Sequence, residues 1–217
     1  MSPQLIDLLI TSLLETLLMV GVSSGIAVLV GIPMGVVLVV TARGAMLQNL
    51  GVNRVLGAIV NATRSVPFVI LMVAIIPFTR WIAQTSIGTT AAIVPLAVAA
   101  IPFMARIAEN AMREVDPGLL TAARAMGASP LQIILKVLLP ESLPGLVAAT
   151  IVTVVSLIGY SAMAGAIGGG GLGDLGIRYG YQRFLPEVML AVVVVLVALV
   201  QVVQSFGDWL VRRMSHR

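Results

Sequence analysis

Apolar residues run along this chain in long blocks, broken by short polar connections. They do not alternate with charge as on a half-buried strand or a surface helix. Five blocks stand out: about Leu13 to Val40, about Leu56 to Ile76 (bounded by Pro77), about Ile87 to Ala105, about Leu143 to Ala164, and about Val188 to Val203. Each is of the order of the ~20 residues that a helix needs to cross a bilayer. The pattern predicts an all-α integral membrane protein with five transmembrane helices, residues 1–217 forming one domain. Pro33, Pro67, Pro95 and Pro102 fall within or near these blocks, where proline is tolerated if neighbours satisfy the freed carbonyls. Ser23, Ser24, Gly25 and Gly31 offer small surfaces for close helix packing.

Composition supports this pattern. Of the 217 residues, 59% are hydrophobic and 10% charged, against about 25% charged in an ordinary soluble domain. So little charge cannot cover a water-facing globule. Residues Met1 to Leu18 lack a positive leader and carry Asp7 and Glu15, so they read as a lead-in to a retained first span rather than a cleavable signal.

Charge then sets orientation. Five spans place the termini on opposite faces. One set of connections holds Arg43, Arg54, Arg64, Arg106, Arg113, Arg124, Lys136, Arg212, Arg213 and Arg217, and the other holds Arg80, Arg178 and Arg183. The richer set belongs in the cytoplasm, leaving the amino terminus outside and the carboxyl terminus inside. This distribution also explains the net charge of +4 without invoking nucleic acid. There is no cysteine, and the single histidine, His216, sits in a basic tail as a surface residue. Neither a catalytic constellation nor a metal cluster can be assembled from such residues, which argues against an enzyme. No phosphate loop of the form GxxxxGK[ST] occurs. The run Gly168, Gly169, Gly170, Gly171 and Gly173 lacks the lysine. It reads as a flexible or tightly turned outer segment, either a contact or gate element or a plain turn.

The connection at about residues 106–142 is too long for a simple hairpin. Asp116-Pro117 can start a helix, with proline at its first position, and Gly127 can end it. Ser129-Pro130 repeats the start signal. Leu131, Ile134, Leu135 and Leu138 then recur at helical spacing, until Pro140 ends or kinks the run. Two short amphipathic helices would form a compact body at the membrane surface, either a packing loop in the headgroup layer or a dock for a cytoplasmic partner.

Residues 120–140 (LTAARAMGASPLQIILKVLLP) resemble the cytoplasmic loop of ATP-binding-cassette import permeases. That loop reads Glu-Ala-Ala, three residues, Gly, nine residues, then Ile, any residue, Leu-Pro. Ala122, Ala123, Gly127, Leu139 and Pro140 match it at the required spacing. Thr121 replaces the glutamate, removing a charge, and Val137 replaces the isoleucine. Further segments extend the resemblance over nearly the whole chain, toward the methionine importer permease family. They are RSVPF (64–68), IPFTR (76–80), TSIG (85–88), IPFMARIAEN (101–110), GYSAMAGAIGGGGLG (159–173) and YGY (179–181).

The resemblance implies a bacterial inner-membrane permease that pairs with a second copy of itself. Each copy docks its cytoplasmic helix pair, residues 106–142, into one of two ATPase subunits. A lipid-anchored or periplasmic methionine-binding protein delivers D- or L-methionine from outside. ATP and magnesium would belong to the ATPase, with no cofactor in this chain. Docking would use Thr121, Ala122, Ala123, Met126, Gly127, Ala128, Leu139 and Pro140, with Leu131, Ile134 and Leu135 facing the permease body. A permease for another amino acid and an ATP-independent secondary transporter are the competing readings.

Other residues carry weaker signals. Arg64 resembles a family residue at the cytoplasmic mouth, where it would pair with a carboxylate or a helix C-terminus, or it simply anchors the span as a positive-inside residue. Arg106 and Glu109, three apart, can share a helical face as a structural pair. Ser156, Tyr160, Ser161 and Met163 could offer hydroxyl and thioether contacts along a pore, or the serines could serve close packing. Met104 reads as a core filler.

Overall fold

The computed structural model describes residues 3–214, and the regular elements within them are helical. His216 and Arg217 lie outside the described residues. Helix α1 spans Pro3–Val40, α2 Leu50–Ser65, α3 Phe68–Ala74, α4 Ile76–Ala83 and α5 Thr89–Arg113. After α6 (Pro117–Ala125), helix α7 covers Pro130–Ala166. The short α8 (Gly171–Leu175) widens into a π-turn over Gly176–Tyr181, and α9 runs over Pro186–Met214. Helices α1, α5, α7 and α9 are long and apolar enough to cross a membrane, and the bent pair α2–α3 makes a fifth candidate. The chain is an all-α multi-span membrane protein with four to five candidate crossings.

The core forms where α1 meets α5. Ser23, Ala27, Gly31 and Gly35 are buried at every fourth position of α1, a small-residue stripe that lets two backbones approach. A Cβ on Gly31 would lie 2.8 Å from Met104 Cβ, and one on Gly35 2.9 Å from the Ala105 carbonyl. Gly25 faces open space, so Ser23 and Gly31 make the close contacts and Gly25 does not. Met104 is fully buried and receives the Thr153 hydroxyl of α7 on its sulfur at 3.4 Å. Helix α9 contributes little to this core: Val188, Val192 and Gly207 are its buried residues, while Leu190, Val193, Val194, Val197 and Val202 are exposed. An apolar face of that extent is a lipid or partner surface, since water would not tolerate it.

Three expected boundaries need correction. The second apolar block is no continuous span: α2 and α3 meet at 104°. Pro67 disfavours helical backbone at the residue before it, and Val66 accordingly sits extended at φ −88°, ψ 127°. A second break at Ile75 separates α3 from α4. Helix α1 begins well before Leu13, taking Asp7 and Glu15 into its first turns. Pro140, expected to end or kink the second short helix of the connection, does not end it. That helix runs on into the fourth apolar block, and a π-turn over Ile134–Leu138 absorbs the proline. There the Leu139 amide reaches back five residues to the Ile134 carbonyl, a widening that relieves the clash a proline ring imposes on the preceding turn.

Candidate functional site

The connection between α5 and α7 is built from local caps. The Asp116 side chain accepts from the Gly118 amide at 2.7 Å, and Pro117 occupies the first turn, where its missing N–H costs nothing. At the other end Gly127 takes φ +82°. Its amide donates to the Arg124 carbonyl at 2.9 Å, and the Ala128 amide donates to the Ala123 carbonyl at 3.1 Å. This is a Schellman closure, which requires the left-handed residue that glycine supplies. Ser129 and Gln132 then form a reciprocal capping box, with the Ser129 amide donating to Gln132 Oε1 at 2.8 Å.

Side-chain directions on this segment differ in part from the expectation. Met126 is 82% exposed and Leu131 64% exposed, with Leu135 also open, while Ile133 is only 1% exposed. Ile133 therefore faces the body of the chain in place of Leu131 and Leu135, with Ile134 half-buried against the core. A two-residue offset on a helix is roughly 200°, enough to reverse the face. Thr121, Ala122, Met126 and Gly127 are exposed, Ala128 is half-buried and Ala123 is buried. The uncharged Thr121 hydroxyl donates to the Pro117 carbonyl at 2.9 Å. Leu139 packs on the core, and Pro140 lies exposed on α7.

Directly before this segment, Glu109 of α5 is 3% exposed and accepts from two guanidinium groups. Arg106 pairs with it as expected, and Arg113 Nη2 lies 2.8 Å from its other oxygen. Arg106 also donates to Asn61 Oδ1 of α2 at 2.8 Å. Sequence spacing could have revealed Arg113, four residues on, but nothing local marks Asn61. Among the described residues Arg64 pairs with no carboxylate: it sits in the last turn of α2, favourable for a cation, with its guanidinium 5.9 Å from the Phe103 ring.

The suggested pore residues are dispersed. Ser156 lines a groove of about 630 Å³ between α7 and α9, with Val152, Gln204, Asp208 and Arg212. Tyr160 stacks on Phe68 at 4.7 Å between ring centres. Ser161 is buried and donates to the Ile158 carbonyl at 2.8 Å, whereas Met163 is exposed. Polar Gln204 and Asp208 were not anticipated, because their spacing within the last span matches no motif.

At the far end of α7 the glycine run folds back into the chain. Gly168, Gly170 and Gly171 have φ of +92°, +78° and +76°. Gly169 and Gly171 are buried, and Gly168, Gly170 and Gly173 are half-buried. A Cβ on Gly173 would collide with the Ala162 carbonyl, and one on Gly169 would lie 2.8 Å from the Ala164 carbonyl. Two residues of α1 supply what this turn lacks. The Gly171 amide donates to Glu15 Oε2 at 2.7 Å, and the Leu172 amide to Thr16 Oγ1 at 2.9 Å. Nearby, the hydrogen bond to Asp174 and its negative charge hold the Arg178 guanidinium above its usual pKa. Among the described residues no group of His, Asp and Glu could hold a metal ion.

A multi-span helical body with a capped, exposed turn before α7 and a buried glycine turn after it places the chain among the polytopic membrane proteins. Residues 27–216 match the family described as binding-protein-dependent transport system inner membrane component, and the chain belongs to that family. It is 56% identical over 211 residues to the probable D-methionine transport system permease protein MetI of Vibrio cholerae serotype O1, covering 97% of this chain and 94% of that protein. The probable D-methionine permease MetI of Pasteurella multocida is 47% identical over the full length of both chains. Among solved structures, an inward-facing MetNI methionine ABC transporter superposes with a TM-score of 0.98 at 51% identity, covering 100% of both chains. An amino acid ABC transporter at 19% identity, with a TM-score of 0.80, shares the fold.

Proposed function

We propose that this chain is the membrane-spanning subunit of an ATP-driven importer of methionine. The observation that carries this reading is the end-to-end match to the MetNI chain, a TM-score of 0.98 at 51% identity with full coverage. In this reading α2–α3 serves as one broken crossing, giving five spans in a single domain. The basic connections lie in the cytoplasm, the amino terminus outside and the carboxyl terminus inside. Two copies form the path, two ATPase subunits bind ATP and magnesium, and a lipid-anchored or periplasmic binding protein delivers the cargo.

Residues 106–142 present the ATPase-docking surface. Met126 and Leu131, exposed beside the Schellman turn, offer the apolar contact, with Thr121, Ala122, Gly127 and Ala128 around them. Ala123, Leu139 and Pro140 support it from the chain side. Arg64, Ser156, Tyr160, Ser161 and Met163 are proposed along the path or its gate. The run Gly168, Gly169, Gly170, Gly171 and Gly173 is proposed at the outer face, where it shapes the surface met by the binding protein.

Uptake of labelled L-methionine into proteoliposomes tests this. The vesicles hold the chain, its ATPase and its binding protein, with D-methionine and other amino acids as competitors. Uptake requiring ATP and all three components, and blocked by methionine-like competitors alone, is expected. Uptake without the ATPase would indicate a secondary transporter. Competition by unrelated amino acids would keep the permease and change its cargo.

A further inference from the structure

Helix α4 carries a hydroxyl that the protein itself leaves unpaired. Thr79 is 4% exposed and its Oγ1 has no hydrogen-bond partner among the described residues. Threonine in a helix has an easy remedy, since its hydroxyl can reach the carbonyl four residues back. Thr16, Thr41, Thr63, Thr121, Thr150 and Thr153 all do this. Thr79 does not, although the Ile75 carbonyl is at hand and takes its backbone amide at 2.8 Å. A buried unpaired hydroxyl is costly. Thr79 lines a partly open cavity of about 60 Å³ between α3, α4, the start of α5 and the glycine turn.

Two further residues that carry polar groups line the same space. Ala91 and Pro95 both line it, and Pro95 has no N–H, so the Ala91 carbonyl lacks the donor that a regular helix would provide. Ser86 also lines the cavity. Its oxygen accepts from Arg80 Nη2 at 3.2 Å, which leaves its own proton free to donate. Met72, Ile76, Ala164 and Ile167 supply the apolar wall. The space is too small for an amino acid side chain with its backbone. It does exceed the ~10–15 Å³ of probe volume that one water needs, and it offers the two to four polar partners a buried water requires.

We propose that this cavity is a water-binding site, in which water joins the Thr79 hydroxyl of α4 to the Ala91 carbonyl at the Pro95 kink of α5, with Ser86 at the rim. Water accepts from or donates to Thr79 and donates to the Ala91 oxygen, so each buried group finds a partner. The seam between α4 and α5 is thereby closed by exchangeable bonds rather than direct ones. When the two helices part, solvent replaces the same bonds and no hydroxyl is stranded.

Hydroxyl-radical labelling by X-ray radiolysis, applied to the full chain in lipid nanodiscs, tests this, because radicals form where water is held. Sulfoxide at each methionine would be read by mass spectrometry. Met72 lines the cavity, whereas Met19 and Met104 are buried and line none of the described cavities. Met72 is expected to oxidise at least ~5-fold faster than Met104. Thr79→Val should bring it down to the Met104 rate, while Thr79→Ser keeps it high and exposed Met126 is unchanged in both. Met72 as silent as Met104, or labelled equally in Thr79→Val, overturns the proposal. Should the valine variant fail to accumulate, a map of the native chain that resolves ordered water decides. Density within hydrogen-bonding distance of Thr79 Oγ1 is expected there, and a hydroxyl turned onto the Ile75 carbonyl without such density refutes the site.

Discussion

Helix α7 is bounded by two turns that are built in opposite ways. Before it, the turn through Gly127 and Ser129 closes with bonds that span only three to five residues, and a Cβ added at Gly127 would meet nothing. After it, the glycine turn takes its key bonds from Glu15 and Thr16, 156 residues away in sequence, and has no room for a Cβ at several positions. The first turn can keep its shape whether or not it touches the rest of the chain. The second exists only where α1 and α7 already lie side by side. The first construction suits the docking role proposed for this segment. A turn that closes a helical bundle suits the second.

The largest effect that would expose this difference is at Gly173. Gly173→Val drives a side chain into the Ala162 carbonyl, and such overpacking against backbone costs upward of ~3 kcal/mol. It should abolish stable accumulation of the chain in membranes, measured by detergent extraction and size-exclusion chromatography. Gly127→Val carries no collision. It incurs about 1–2 kcal/mol for the left-handed backbone, so the chain should accumulate while ATP-coupled uptake falls. Equal loss at both glycines would erase the contrast.

Next in size is Glu109→Ala, which leaves the Arg106 and Arg113 guanidinium groups without their shared carboxylate. Both reach solvent in part, so the cost is about 2 kcal/mol rather than that of a fully buried pair. A drop of several degrees in the thermal midpoint of the purified chain would register it. Glu15→Ala should cost about 1–2 kcal/mol by orphaning the Gly171 amide. Because the bond is remote, it should also raise hydrogen exchange in residues 168–175 selectively. Exchange confined to α1 would show that the two segments are not coupled. Smallest is Ser129→Ala, which removes one half of the capping box for about 1 kcal/mol. Its effect should stay within residues 126–135 when followed by exchange.

The sequence made the helices of the connection between α5 and α7 legible because their signals are local: Asp116-Pro117, Gly127 and Ser129 through Gln132 each act on neighbouring residues. Its orientation was not legible. Ile133 rather than Leu131 and Leu135 turns inward, a choice set by the direction in which α7 continues past Pro140. The break in the second apolar block was marked by Pro67, yet hydropathy alone merged its halves. Glu15 was visible as an acid within an apolar run, but its partner amide could not be found without the fold.

Hydropathy, charge asymmetry and cap residues by themselves determined that this chain is helical, lies in a membrane and carries a structured connection between its third and fourth apolar blocks. These signals survive without tertiary context because each is satisfied by neighbours in sequence or by the solvent phase. Only the tertiary structure decided that Gly31 and Gly35 press α1 onto α5, that Arg106 reaches Asn61 of α2, and that α1 caps the glycine turn. Each of those depends on backbones from distant segments approaching within van der Waals reach. No local pattern of apolar and polar residues specifies which of several small-residue faces will meet.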